Sequence, residues 1–239
     1  ALSGSDSRDP TSMREPTPNF TRDLKQGIKG LRIGWSADLG YAGVDQEVLT
    51  ITEQSAKSLA TLGAEIEEVN LLLEDPFEAF YDVFSTATYT SYGHLLDDRI
   101  TDFTDYVRNT LQHAAGLSAA DLSTSLLRVD QIRRQMEIFF DDYDLLLTPT
   151  MAVTAFPIEE RPTIIGGKAV NPFWGYLPFT FPINMTGQTA ANVPCGFSQD
   201  GMPVGLHIIA PKGSESLVLR ASSAFEIINP WIHHRPPEL

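Results

Sequence analysis

The chain has 239 residues, of which 42% are hydrophobic and 20% charged, with a formal net charge of −14. That length buries a sizeable core in one domain or two small ones, and the acidic balance argues against nucleic-acid or anionic-membrane partners, which need clustered Lys and Arg. One cysteine makes no internal disulfide and gives no zinc spacing; no run is long and apolar enough to span a bilayer, and the start ALSGSDSRDP lacks the regions of a signal peptide, so a cytoplasmic chain is expected.

Residues 1–20 are rich in Ser, Pro and Thr and show no apolar period; they read as an extended surface segment. Leu31-Arg32-Ile33-Gly34-Trp35 is a short strand. Asp45 caps a helix that runs to Leu62 and is ended by Gly63. Val48, Ile51, Ser55, Leu59 and Leu62 hold one face of it at helical spacing. Ala64 to Leu71 alternates in part and reads as a second strand, and so short a crossover favours a parallel βαβ unit. Half of a nucleotide-binding fold has the same order, but no Gly-rich phosphate loop follows Trp35. Pro76 to His113 reads as helical, with Phe77, Phe80, Tyr81, Phe84 and Tyr92 forming an aromatic stripe of the kind that usually packs in a core. Ser118 caps the next helix, with Leu117 and Leu122 as a staple around it. The apolar face of that helix is Leu122, Leu126, Val129, Ile132, Met136 and Phe139. Asp144 to Leu147 is the next strand, stopped by Pro149.

Residues 149–183 are punctuated by Pro149, Pro157, Pro162, Pro172, Pro178 and Pro182, with a turn at Gly166-Gly167. Trp174, Tyr176, Phe179 and Phe181 crowd a short helix or turn, and a loop this long and aromatic usually carries function. Asn184 and Gly187 mark a turn. Ala190 to Phe197 is a strand, Gln199-Asp200-Gly201-Met202 a hairpin turn, and Pro203 to Ala210 the returning strand, with Pro203 where a missing N–H is tolerated. Leu206, Ile208 and Ile209 leave little polar alternation, as in a strand buried on both faces. Leu217, Val218, Ala221, Ala224, Phe225 and Ile228 make the last amphipathic helix, ended by Asn229-Pro230.

The run N-M-T-G-Q-T-A-A-N-V-P-C-G-F-x-x-D-G-M-P-V-G-L-H-I-I-A-P, followed by E-x-L-V-L-R-A-S-S-A-F-E, resembles the end of amidase signature family hydrolases. Tyr143-Asp144-Leu145-Leu146-Leu147-Thr148-Pro149-Thr150 is similar to the family's YDxLLxPT strand, and Asp9-Pro10-Thr11-Ser12 to its DPxS segment. Thr189 departs from the pattern, standing where proline is usual. The resemblance implies an α/β fold, a mixed sheet flanked by helices, of which this chain is the C-terminal half of a single domain. It implies hydrolysis of a carboxylic amide through a Ser–Ser–Lys triad, with a lysine held neutral as base and an oxyanion hole of backbone N–H groups in a Gly/Ser-rich stretch.

No such stretch is in this sequence. Ser222-Ser223 is the only serine pair, inside an amphipathic helix without a neighbouring glycine, and Lys25, Lys29, Lys57, Lys168 and Lys212 each lack the family's surroundings. The triad-bearing half, in the same gene or a separate chain, is therefore the expected partner, with a small-molecule amide as substrate and no metal or organic cofactor. Self-association into a homo-oligomer stays open, as does a non-catalytic binding or scaffold subunit with an amidase-like fold. Rival chemistry is thin. Cys195 and His207 lie on the two arms of the hairpin, where a Cys–His pair needs a shared face and an orienting group; a buried apolar cysteine is the simpler reading. His233-His234 beside Arg235-Pro236-Pro237 is a weak metal signal, because neighbours on an extended chain point apart. Asp141, Asp142 and Asp144 form no ligand pattern with a histidine.

The resemblance also places the segment before the Asn184 turn beside the acyl channel. Trp174 to Phe181 is aromatic, apolar and proline-stiffened, as suits a pocket that excludes water. Trp174, Leu177 and Phe181 are the expected substrate-binding residues, on one face if the segment is helical, with Phe84 and Tyr89 as further contributors. Packing in the core is the competing expectation for them.

Overall fold

The computed structural model describes residues 3–234, and residues 3–30 run through turns without helix or strand. The first ordered unit is β1 (Arg32–Trp35), α1 (Gln46–Ser58) and β2 (Glu65–Glu68), with β1 and β2 parallel from Arg32 opposite Glu65 to Trp35 opposite Glu68. Asp45 starts α1: its carboxylate accepts from the backbone N–H groups of Glu47 and Val48 at 2.9 and 3.4 Å, satisfying donors that a helix N-terminus otherwise leaves orphaned. The helix tightens into a 3₁₀ turn, Leu59–Leu62, and stops at Gly63 with φ 82°, a left-handed conformation that costs glycine nothing.

The aromatic stretch after Pro76 is not one helix. It divides into α2 (Phe77–Tyr92), α3 (Leu96–Arg99) and α4 (Asp105–Ala115), separated by 3₁₀ turns at Gly93–Leu95 and Ile100–Asp102. Gly93 disfavours continuation by about 1 kcal/mol relative to alanine, and the reversal lets α4 fold back against α2. α5 (Ala119–Asp142) begins with a capping box, Ser118 and Asp121 each serving the other's backbone N–H. Its buried seam is Ser125, Val129, Ile132, Met136 and Phe139. Leu126, expected inside, is 47% exposed. Ser125 takes the inward place because its hydroxyl donates to Asp82 Oδ2 at 2.6 Å.

The chain continues through β3 (Leu145–Pro149), the two-residue strands β4 (Ile164–Ile165) and β5 (Lys168–Ala169), α6 (Phe181–Thr186), β6 (Thr189–Phe197), β7 (Pro203–Ala210) and α7 (Glu215–Ile228). The five-stranded sheet has the order β2-β1-β3-β7-β6, parallel across β2, β1 and β3, antiparallel from β3 to β7 and from β7 to β6. It is the mixed, helix-flanked sheet that the sequence predicts. Every residue of β3, and Leu206 to Ala210 of β7, is buried, as strands covered on both faces require.

Register sorts the side chains by face. Gly34 pairs with Leu146, Leu146 with Ile209 and Ile209 with Ala190, and a Cβ on Gly34 would meet the Phe139 ring at 2.7 Å, so α5 covers this face. The opposite face carries Val204 and Gly196, and a Cβ on Gly196 would meet Ile51 at 2.6 Å, so α1 covers that one. Thr189 has a use of its own where proline is usual: its hydroxyl accepts from the N–H groups of Gly213 and Ser214 at 3.1 and 3.3 Å, holding the turn into α7.

Replacing Asp45 with alanine removes both cap bonds of α1 and is expected to lower stability by about 1 kcal/mol, read as a shift of the urea midpoint with unchanged slope. Asp45→Asn, which keeps the accepting oxygen, is expected to restore most of it.

Candidate functional site

The aromatic residues of α2 and of the 170–186 segment meet in one cluster. Phe80 stacks on Phe181 with centroids 4.7 Å apart and meets Trp174 edge-on at 4.8 Å. Phe84 meets Trp174 at 4.9 Å and Phe80 at 5.6 Å. Offset and edge-to-face pairs of this kind each add about 0.5–1.5 kcal/mol beyond burial. α5 fixes the position of α6, because the Arg133 guanidinium donates to the carbonyls of Met185 and Thr186, each at 3.3 Å. A cation at these C-terminal carbonyls satisfies acceptors the helix cannot.

A cleft of about 250 Å³ opens beside this cluster, with Phe77, Trp174 and Phe181 as apolar wall and Tyr41, Asp75 and Lys168 among its polar lining. The Lys168 ammonium donates to the carbonyls of Tyr41 and Ala42 at 2.9 and 3.1 Å, tying β5 to the loop before α1. Tyr41 donates its hydroxyl to the carbonyl of Pro178. Burial, and secondarily the nearby Asp75 charge, push the Tyr41 phenol well above its ordinary value, so it stays neutral and acts as a strut.

Of the five residues expected at the substrate, Phe84, Trp174 and Phe181 come together, and Trp174 and Phe181 line the cleft. Leu177 does not line it and is half-buried. It shares no helix with Phe181: Leu177 N–H donates to Trp174 O at 2.9 Å, Thr180 N–H to Leu177 O at 3.2 Å, and α6 begins only at Phe181. Pro178, without an N–H, cannot sit inside a helix that runs on from Trp174. Tyr89 is 38% exposed and lies away from the cleft, its ring under Gly93.

Among the described residues the rival nucleophiles find no activating base. Asn192 pairs with His207 and Val193 with Leu206, so His207 and Cys195 point to opposite faces of the sheet. Burial pushes the Cys195 thiol up to about 11, the reverse of an activated thiolate. Ser222 donates to Val218 O within α7 at 2.8 Å. His234 packs on the Phe197 ring at 4.6 Å, and the Arg235-Pro236-Pro237 run lies outside the described residues. Among the described residues no group of three His, Cys, Asp or Glu side chains is placed to hold a metal ion, and no helix is long and apolar enough to cross a membrane.

Sequence reading missed one polar cluster. Asp82 receives Ser125 on one carboxylate oxygen and has His113 Nε2 2.7 Å from the other. Serine and histidine bind the same carboxylate rather than each other, so neither activates the other; the group ties α2, α4 and α5 together. No spacing could reveal it, since its members are separated by 31 and 43 residues from Asp82.

A family model described as Amidase matches residues 1–219. Among curated proteins, the acylamidase of Rhodococcus erythropolis is 32% identical over 244 residues, covering 99% of this chain and 50% of its own length. A glutamyl-tRNA(Gln) amidotransferase subunit of Moorella thermoacetica is 34% identical over 265 residues, covering 100% of this chain and 53% of its own. Among solved structures, a bacterial aryl acylamidase belonging to the amidase signature enzymes superposes with TM-score 0.88 at 30% identity, over 95% of this chain and 49% of that one. 6-Aminohexanoate cyclic dimer hydrolase shares the fold at TM-score 0.80 and 21% identity. The chain thus spans about half the length of the relatives it matches, their C-terminal half.

Burial pushes the His207 imidazole down to about 4. A depressed folded value means that stability present above the unfolded value, 6.5, is lost as pH falls through 4. The loss is expected to total on the order of 3 kcal/mol, and His207→Gln, which does not titrate, is expected to flatten that part of a stability–pH curve. An unchanged curve would remove His207 from the acid response.

Proposed function

The chain belongs to the amidase signature family, and from that membership we propose that it is the C-terminal part of a hydrolase that cleaves a carboxylic amide C–N bond. The triad of the family's Ser–Ser–Lys chemistry and its oxyanion hole come from the part of the protein upstream of this chain. This part contributes sheet and the apolar side of the substrate channel. The observation that carries the reading is the aromatic wall: Phe80 in ring contact with Phe84, Trp174 and Phe181, the last two lining a cleft, within a chain that offers no activated nucleophile of its own among the described residues.

The chemistry of such a wall is exclusion and orientation. An amide carbonyl under attack develops negative charge, and donors aimed at it gain strength as water is removed. Rings held by their neighbours keep one side of the channel dry and set how much room the acyl group has. Trp174 and Phe181 are the residues in contact with that group; Phe84 supports Trp174 through ring contact, Leu177 through the N–H it donates to Trp174 O, and Tyr89, away from the cleft, has no part in it. A cytoplasmic location suits a chain whose one cysteine is free and buried.

The test is substitution in the complete protein. Phe181→Ala and Trp174→Ala are expected to change kcat/KM ratios between short and long acyl amides by about tenfold, the scale set by one or two methylenes in an apolar pocket. Leu177→Ala is expected to move the ratio less. A uniform fall in stability with the ratios unmoved would assign these residues to the core.

A further inference from the structure

We propose that Tyr41 and Lys168 are positioning residues for acyl-group selection: they pin both ends of residues 168–178 to one point, Tyr41, and so fix how far Trp174 stands into the cleft. The inference deepens the reading above, that Trp174 and Phe181 meet the acyl group, and rests on it.

The bonds made by Tyr41 and Lys168 have one residue in common. The Lys168 ammonium donates to the Tyr41 carbonyl at 2.9 Å, and the Tyr41 hydroxyl donates to the carbonyl of Pro178. The chain from Lys168 to Pro178 is thereby closed into a ring through Tyr41, with Trp174 on its span. Tyr41, Lys168, Trp174 and Pro178 all line the cleft, so the pins are part of its wall. A second N–H of the ammonium goes to the Ala42 carbonyl at 3.1 Å. With two of its three donors on backbone carbonyls, this lysine holds the chain rather than reading a charge on the substrate.

The anchor point is rigid. Leu39 is fully buried with φ 52°, a conformation that residues other than glycine rarely take and that persists only where the surroundings over-determine it. They do so here: Leu39 N–H donates to Ser36 Oγ at 3.0 Å, and Leu39 O accepts from Leu73 N–H at 3.0 Å. Facing this anchor, β4 and β5 pair with Ile164 opposite Ala169 and Ile165 opposite Lys168. Ile165 is buried, and its carbonyl comes so near Gly43 that a Cβ there would stand 2.3 Å from it. The hairpin is thus seated on the segment that carries Tyr41, and Lys168 completes the seat.

Between the pins, the backbone bonds around Trp174 stay within the span. Trp174 and Gly175 N–H donate to Asn171 O at 3.3 and 2.7 Å, and Leu177 N–H donates to Trp174 O at 2.9 Å. Ala152 N–H reaches Tyr176 O at 3.1 Å and ties the span to the end of β3. The indole is backed by Phe80, Phe84 and Tyr106, with centroids 4.8, 4.9 and 5.8 Å away. Apolar burial is non-directional, so it holds the indole among these rings without setting its depth in the cleft. The hydrogen bonds at the two ends of the span set that depth.

Tyr41→Phe and Lys168→Met, made in the complete protein alone and together with Trp174→Ala, test this. Each removes one pin and keeps most of the bulk that faces the cleft. Each is expected to narrow the kcat/KM ratio between short and long acyl amides by about fivefold, the change falling on KM. Each is also expected to raise the hydrogen-exchange rates of the Gly175 and Leu177 amides by about fivefold or more. In the Trp174→Ala background neither is expected to move the ratio further, because a pin that acts through the indole has nothing left to place. A ratio change of the same size in both backgrounds would overturn the proposal, as would amide exchange equal to the parent's in both variants. A Trp174→Ala protein with parental ratios would overturn the acyl-wall reading and the selecting role with it, while the exchange rates, which need no turnover, separately decide whether the loop is pinned.

Discussion

The pairing of β3 with β7 holds the structure together. Leu146 lies opposite Ile209, Leu147 opposite Ile208 and Thr148 opposite His207, and all six residues are buried. On one side of this pair is the parallel unit of β1, α1 and β2; on the other is the hairpin of β7 and β6. Neither could bury its apolar face alone: a four-residue parallel pair and an isolated hairpin are both marginal in water. The antiparallel junction makes them one sheet. It also fixes the two faces, because a slip of one residue in β7 would turn Ile209 and His207 to the α1 side.

That constraint carries through to the candidate site. α5 lies on one face of the sheet against Gly34, and from there Arg133 holds the C-terminus of α6 while Ser125 holds Asp82 of α2. α6 brings Phe181 and α2 brings Phe80, and those rings stack. The wall is thus positioned by two polar clamps on one long helix, and its aromatic contacts follow.

How much of this was legible follows from where the signals are local. The hairpin was readable to within a residue because Asp200-Gly201 and Pro203 encode a turn and a strand start without outside help. Asp45 likewise encodes the start of α1, and Gly63 the end of the 3₁₀ turn that continues it. The break at Gly93 was not readable, since one glycine in a helical pattern is a weak stop and the decisive term is α4 packing back on α2. Ser125 displaced Leu126 from the seam because its partner, Asp82, lies 43 residues away, beyond any periodicity. For Leu177 and Phe181 a partial signal is present: Pro178 breaks a helix that would run from Trp174 through Phe181, although it would be tolerated in a first turn beginning at Leu177. That His207 is buried, with no hydrogen-bond partner for Nδ1 among the described residues, is invisible in sequence, because burial and pairing are both tertiary facts.

An acidic chain with a family fold and an aromatic wall, but no activated nucleophile among its described residues, makes one sharp claim: the reacting serine lies elsewhere in the protein. The most direct measurement is to treat the complete, active protein with a serine-directed phosphonate and map the adduct by peptide mass spectrometry. The account predicts a single modified serine upstream of this chain, with all of residues 1–239 unmodified. An adduct on any serine within residues 1–239, accompanied by loss of amide hydrolysis, would contradict it.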